Sequence, residues 1–249
     1  MRALRTVPLR CCMYCLAAGS PRSEEHLIPR ALGGVQTLRD AVCEPCRVFT
    51  GRLEQATLDR EFAVPKTLLA LKRRRARGKG PARLPVVQLA DRADAVELDA
   101  ATYPRRFELP LFDEAGLLAG VDRGAAAQPV DFAPCRLRLG TPTQDLAAAR
   151  PALPDPHAYA MSIAKWAYAM AVAVDGFDAC DMAAMRDLLA GRRDDVFNFV
   201  GSAHPRRVAA TTWLHDAAPR VNGAWRTVVL QLFGSAGMPP YEVVVGRRA

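Results

Sequence analysis

Apolar and polar positions alternate most regularly in the C-terminal third of the chain. Residues 156–174 carry apolar side chains at helical spacing, and Gly176 follows them, so the pattern predicts a long buried helix that ends there. A second helix is predicted from Asp181, which is suited to cap it, to Ala190. These two segments indicate a helical layer that must pack against another element.

Short apolar runs after these helices predict an antiparallel sheet. The three predicted strands span residues 207–215, 225–233 and 241–245, and Asn222-Gly223 is suited to the turn before the second of them. Further strand candidates between residues 86 and 150 are short and interrupted by proline and glycine, which predicts irregular β structure in that part of the chain.

The N-terminal pattern predicts two strands followed by a helix. A turn is expected at Gly33-Gly34, and residues 35–42 can return as the second strand of a hairpin. Residues 47–62 are predicted to be helical, with a partly apolar face formed by Phe49, Leu53, Ala56 and Phe62. Within residues 10–62 this order gives a ββα arrangement.

Two Cys-x-x-Cys pairs bracket the predicted hairpin. Cys12 and Cys15 precede it, and Cys43 and Cys46 follow it, so four thiolates can surround a structural zinc ion. Cys11 is the alternative to Cys12. Seven cysteines in all, four of them in metal-type pairs, favour a reducing compartment over a disulfide framework. Together with the absence of a recognisable secretory signal or membrane span, they lead us to expect a cytoplasmic protein.

The net charge of +8 is concentrated in one stretch. Residues 63–90 contain no acidic residue and eight basic ones: Lys66, Lys72, Arg73, Arg74, Arg75, Arg77, Lys79 and Arg83. A cluster of this density repels itself, and a polyanion relieves that repulsion. Nucleic acid is therefore the expected partner.

The segment between the cysteine pairs supplies the candidate chemistry. CMYC, then EEHLIPRALGG, then CEPC resembles the zinc-ribbon branch of the HNH (ββα-metal) endonucleases over residues 10–62. A longer pattern also resembles a group of uncharacterised bacterial HNH-annotated proteins, through Thr50, Glu54, Ala164–Ala167, and the Leu-Phe-Gly and Tyr-x-Val-Val-Val-Gly stretches near the C-terminus. The resemblance implies hydrolysis of phosphodiester bonds.

In that family the histidine is the general base and the preceding acid holds a divalent cation. His26 matches the base, which would deprotonate a water that attacks phosphorus. Glu25 matches the ligand of the catalytic Mg²⁺ or Mn²⁺. The other histidines (His157, His204 and His215) are expected to be structural or at the surface. Lys165 lies inside an apolar helical pattern, and we expect it to extend to solvent or to a phosphate.

The chain departs from the family pattern at Arg47. Many members have Asn or His near this position as the second metal ligand, whereas arginine stays protonated and cannot bind a cation. Three interpretations remain open. Glu54, which shares a helix face with Arg47 and Thr50, replaces the ligand; Asp40 takes part; or the site is degenerate and Arg47 contacts phosphate.

We therefore expect an α+β protein with three parts. Residues 1–62 form a zinc-bound ββα nuclease module, residues 63–90 a basic connector, and residues 91–249 a C-terminal domain of helices and antiparallel sheet whose role is open. The expected function is metal-dependent hydrolysis of DNA, with phosphate contacts from Arg47, Lys72, Arg73, Arg74, Arg75, Arg77 and Lys79. The alternative is a catalytically silent zinc ribbon that binds nucleic acid or a protein, and a third hypothesis makes the C-terminal domain a sensor that controls the nuclease.

Overall fold

A computed structural model describes residues 9–69, 71, 83–88, 95–99, 103, 106–124, 131–136, 149–151, 154–203 and 211–248. Its helices are α1 (Glu44–Arg60), α2 (Ala63–Leu68), α3 (Gly116–Ala119), α4 (Pro156–Asp175) and α5 (Ala183–Leu189). Its strands are β1 (Arg22–His26), β2 (Thr37–Cys43), β3 (Arg83–Gln88), β4 (Ala95–Asp99), β5 (Arg106–Leu111), β6 (Asp131–Arg136), β7 (Ala149–Pro151), β8 (Val200–Ser202), β9 (His215–Asn222), β10 (Trp225–Leu232) and β11 (Pro240–Arg247). The protein is therefore α+β, as predicted.

The strands form four antiparallel sheets among the described residues. β1 pairs with β2, and the largest sheet has the order β8-β11-β10-β9. Smaller sheets have the orders β4-β3-β7 and β5-β6. The short strands predicted between residues 86 and 150 are thus confirmed in outline by β3 to β6.

Helix α4 lies at the centre of the molecule. Residues 159–173 of this helix are all buried, because it contacts α1 as well as strands β8 to β11. Its start fits its sequence: the Asp155 carboxylate accepts hydrogen bonds from the backbone of His157 and Ala158, and Pro156 occupies the first turn. Among the described helices, none is both long enough and apolar enough to cross a membrane.

A shared core joins the N-terminal hairpin and α1 to the C-terminal elements. Phe62 stacks on Tyr159 at 5.2 Å between ring centroids and also contacts Trp166 and Phe233. His215 fixes the hairpin loop: its Nδ1 accepts from the Phe233 backbone, so its Nε2 donates to the Leu32 carbonyl at 2.7 Å. The core therefore continues beyond residue 62.

The observed bounds correct two predictions. The strand predicted at residues 207–215 is wrong at residues 211–214, since the strand there begins at His215, and residues 204–210 lie outside the described part. The predicted apolar face of residues 47–62 is wrong in half of its members: Phe62 is buried and Leu53 packs against the core, but Phe49 is 51% exposed and Ala56 is exposed. The buried positions of α1 are instead Thr50, Thr57 and Leu58.

Candidate functional site

The four predicted zinc ligands lie together. The Sγ atoms of Cys12, Cys15, Cys43 and Cys46 are all within 4.8 Å of one another, and Cys15 Sγ lies 3.6 Å from Cys43 Sγ. Bonds of about 2.3 Å from sulfur to a tetrahedral zinc ion place sulfur atoms about 3.8 Å apart, so the cluster is compatible with structural zinc. Cys11 is not in this group, which settles the alternative in favour of Cys12. A site with four protein ligands has no position left for water, so zinc here would not catalyse.

Backbone hydrogen bonds hold the first cysteine pair against the hairpin. The Met13 N–H donates to Ala41 at 2.8 Å, and the Leu16 N–H donates back to Cys12 at 2.8 Å. Burial opposes ionisation of Cys12, but hydrogen bonds from the backbone of Cys15 and Cys43 outweigh it and lower the pKa of Cys12 to about 7. The fold thus favours the thiolate at Cys12, whereas burial raises the pKa of Cys43 and of Cys46, so a zinc ion would have to supply the charge that holds those two as thiolates.

Helix α4 also contacts the cysteine loop, which is the turn that carries Cys12 and Cys15. The Tyr168 hydroxyl donates a hydrogen bond to the Met13 carbonyl, and the Tyr168 and Tyr14 rings lie 5.9 Å apart. The cysteine loop is therefore fixed from two sides, by β2 and by α4. Tyr14, which directly precedes Cys15, is thereby held in the protein interior.

Glu25 and Glu54 come together as their predicted shared role requires, but a lysine lies between them. Lys165 Nζ is 2.9 Å from Glu25 Oε1 and also donates to Glu54 Oε2. Glu25 Oε1 accepts a further hydrogen bond from the Tyr14 hydroxyl at 2.9 Å. We call Glu25, Glu54, Lys165 and Tyr14 the acid–lysine cluster.

Three separate elements supply the two glutamates and the lysine of the acid–lysine cluster, and Tyr14 comes from the turn between Cys12 and Cys15. Glu25 comes from β1, Glu54 from α1 and Lys165 from the middle of α4. Lys165 is 3% exposed and Glu25 is 7% exposed, so their charges depend on each other for compensation. The prediction that Lys165 extends to solvent or to a phosphate is wrong, because its ammonium group is buried between two carboxylates.

Burial and neighbouring charges shift the pKa values of Lys165 and Tyr14 in the cluster. Burial alone would lower the pKa of Lys165, but the charges of Glu25 and Glu54 and their hydrogen bonds outweigh it and raise the pKa above its ordinary value. Burial and the adjacent Glu25 carboxylate raise the pKa of Tyr14 well above its ordinary value, so Tyr14 stays a donor. Lys165 is therefore a charged donor in this cluster and Tyr14 a neutral one.

His26 follows Glu25 at the end of β1, where it pairs with Thr37. Its side chain is 34% exposed, and its Nε2 atom lies 4.0 Å from Glu24 Oε1. Its Nδ1 atom is buried and has no hydrogen-bond partner among the described residues. The ring therefore has one nitrogen turned into the protein, while the other lies beside the exposed Glu24 carboxylate.

Arg47 and Asp40 do not join the cluster in the described part of the chain. Both Arg47 guanidinium contacts go to the Glu44 carboxylate, at 2.6 and 2.7 Å, on the exposed start of α1. Asp40 is exposed, and its backbone carbonyl accepts from Arg22 at 2.8 Å. The predicted phosphate contacts Lys72, Arg73, Arg74, Arg75, Arg77 and Lys79 lie outside the described residues.

A divalent cation does not fit between Glu25 and Glu54 in this arrangement. The Lys165 ammonium group takes the position at which the two carboxylates converge, and a second positive charge there would be repelled. Within the described residues, the four cysteines form the one group of three or more potential ligands suited to a metal ion. The sequence singled out Lys165 but not its two carboxylate partners, although a lone charge in an apolar helix signals a buried partner.

No protein-family model, curated protein or solved structure matches this chain.

Proposed function

We propose that the protein hydrolyses phosphodiester bonds in DNA, and that β1, β2 and α1 form an HNH-type ββα module. The observation that carries this proposal is the position of His26. Its imidazole ring is partly exposed at the end of β1, directly after Glu25 in the chain and on a hairpin whose second strand ends at the first cysteine of a zinc-type pair. A partly exposed imidazole is suited to exchange protons with a water molecule near neutral pH.

His26 acts as the general base in this proposal. A water molecule gives a proton to His26 Nε2, its oxygen attacks phosphorus, and the bond from phosphorus to the 3′ oxygen breaks. The departing oxygen takes a proton from solvent. The Glu24 carboxylate, 4.0 Å from Nε2, stabilises the imidazolium ion that forms in the first step.

The resemblance also implies a catalytic Mg²⁺ or Mn²⁺ held by Glu25, and the helix spacing suggests Glu54 as its second ligand. Because Lys165 lies between these carboxylates, we derive no step from a divalent cation at that position. DNA is the proposed substrate because residues 63–90 carry eight positive charges and no negative one. Contacts of this kind to the phosphate backbone are independent of sequence and weaken steeply with salt.

Nicking of supercoiled plasmid by zinc-loaded protein tests the proposal. We expect His26→Ala to lower the cleavage rate by about 10²- to 10⁴-fold, which is the usual contribution of a general base. His157→Ala is the matched control, since His157 is exposed at the start of α4 and its replacement should leave the rate unchanged. Equal cleavage by the wild type and His26→Ala would exclude this mechanism.

A zinc-stabilised module that binds nucleic acid without cleaving it is the second candidate. It is favoured by the lysine between the two carboxylates and by Arg47, which pairs with Glu44 in place of a metal ligand. This candidate predicts salt-dependent retention of a labelled DNA duplex with no cleaved product. A wild-type protein that cleaves DNA would rule it out.

A further inference from the structure

Glu25 and Glu54 share a single cation in this protein. Lys165 Nζ contacts one oxygen of each carboxylate, so two side chains that are 29 positions apart in sequence converge on one positive atom. Two carboxylate oxygens that converge in this way are also the usual protein ligands of Mg²⁺ or Mn²⁺. An ammonium group and a divalent cation would therefore compete for the same position.

Lys165 is held where it is by its helix. Its neighbours Ala164 and Trp166 are 0% and 1% exposed, and its own side chain is 4% exposed. Because a lysine side chain has no acceptor and the surroundings are apolar, its three N–H groups depend on the two carboxylates.

We propose that Lys165 is the permanent cation of the Glu25–Glu54 pair, and that the pair binds a divalent cation only when this ammonium group is removed. Lys165 is a positioning residue in this account: it keeps the two carboxylates together and compensates one of their charges. The inference concerns the site itself and holds whether or not the protein cleaves DNA. It also predicts that Mg²⁺ does not act at this pair in the wild-type protein.

A titration of zinc-loaded protein with Mn²⁺ tests the proposal. Binding is measured as the decrease in the electron paramagnetic resonance signal of free Mn²⁺. We expect Lys165→Met to bind Mn²⁺ more tightly than the wild type by about tenfold or more. The double variant Lys165→Met with Glu54→Gln should lose this gain, because one of the two ligands is then neutral. Lys165→Arg, which keeps a positive charge, should bind as weakly as the wild type.

Two results would overturn the proposal. One is wild-type Mn²⁺ binding that is lost in Glu25→Gln, since the pair would then accept a metal with the lysine present. The other is a folded Lys165→Met protein that binds no more Mn²⁺ than the wild type. If Lys165→Met does not fold alone, added Mn²⁺ should restore its circular dichroism spectrum, and failure to do so counts against the proposal equally. Since no DNA is used, these outcomes are separate from any failure of the proposed nuclease activity.

Discussion

Removal of the Lys165 ammonium group should destabilise the protein by about 3–5 kcal/mol, which is typical when one partner of a buried ion pair is removed. At 2.9 Å and an effective dielectric constant near 20, the contact between Lys165 and Glu25 is worth about 6 kcal/mol of attraction. The cost of burying the ammonium offsets several kcal/mol of this. Lys165→Met removes the attraction and leaves Glu25 and Glu54 to repel each other.

Urea unfolding of the zinc-loaded protein without other divalent cations measures this loss. If the slope is about 3 kcal/mol per molar, a loss of 3–5 kcal/mol moves the midpoint down by about 1–1.7 M. Lys66→Met is the control: Lys66 pairs with Asp59 at 3.6 Å, but Asp59 is 61% exposed, so that loss should be at most about 1 kcal/mol.

The loss should also depend on pH. In Lys165→Met the folded state gains by holding a proton between its two carboxylates, so it binds more protons than the unfolded chain does. Stability of the variant relative to the wild type therefore falls as the pH rises. A midpoint shift no larger than that of Lys66→Met, or a shift independent of pH, would refute the assignment of a buried ammonium to the Glu25–Glu54 pair.

Two further predictions concern the zinc site and the hairpin. Cys12→Ser should lose stoichiometric zinc, as measured by elemental analysis, whereas Cys11→Ser should retain it; equal zinc in both variants would contradict the cluster. Gly34→Ala should lower the melting temperature, because a Cβ atom there would lie 1.8 Å from the Ile28 carbonyl oxygen. The control is Gly51→Ala, in a helix with open space around that position, which should instead stabilise the protein by about 0.5–1 kcal/mol. A melting temperature for Gly34→Ala equal to or above that of the wild type would show that the turn does not need glycine.

Local signals predicted much of this fold. The two cysteine pairs flank one hairpin, so their spacing alone indicates that they meet, and the described residues confirm a compatible cluster. The sequence predicts the long helix at residues 156–174, and it is observed at Pro156–Asp175. The signals that fix its ends are local, because the capping residue and the first-turn proline lie at its start and the glycine lies directly after its end. Strand β10 was similarly clear from its own apolar residues.

Features that depend on distant partners were not predictable. Lys165 is separated by 111 positions from Glu54, and nothing in the local sequence specifies which acid a buried lysine will meet. The prediction placed strand β9 too early in the chain, because the sequence of this strand, HDAAPRVN, has little apolar alternation. The strand is defined by its backbone pairing with β10, which the local sequence does not show. Thr50 is buried where Phe49 was expected, since α4 and not hydrophobicity decides which face of α1 is covered.

The central claim is that His26 is the base that cleaves DNA, and chemical rescue tests it most directly. His26→Gly leaves a space open to solvent, because the native side chain is 34% exposed, and added imidazole can enter it. We predict that imidazole restores single-turnover cleavage of a labelled duplex by zinc-loaded His26→Gly, in proportion to the neutral imidazole present. Cleavage by the wild type with no rescue of His26→Gly at any imidazole concentration would contradict the account.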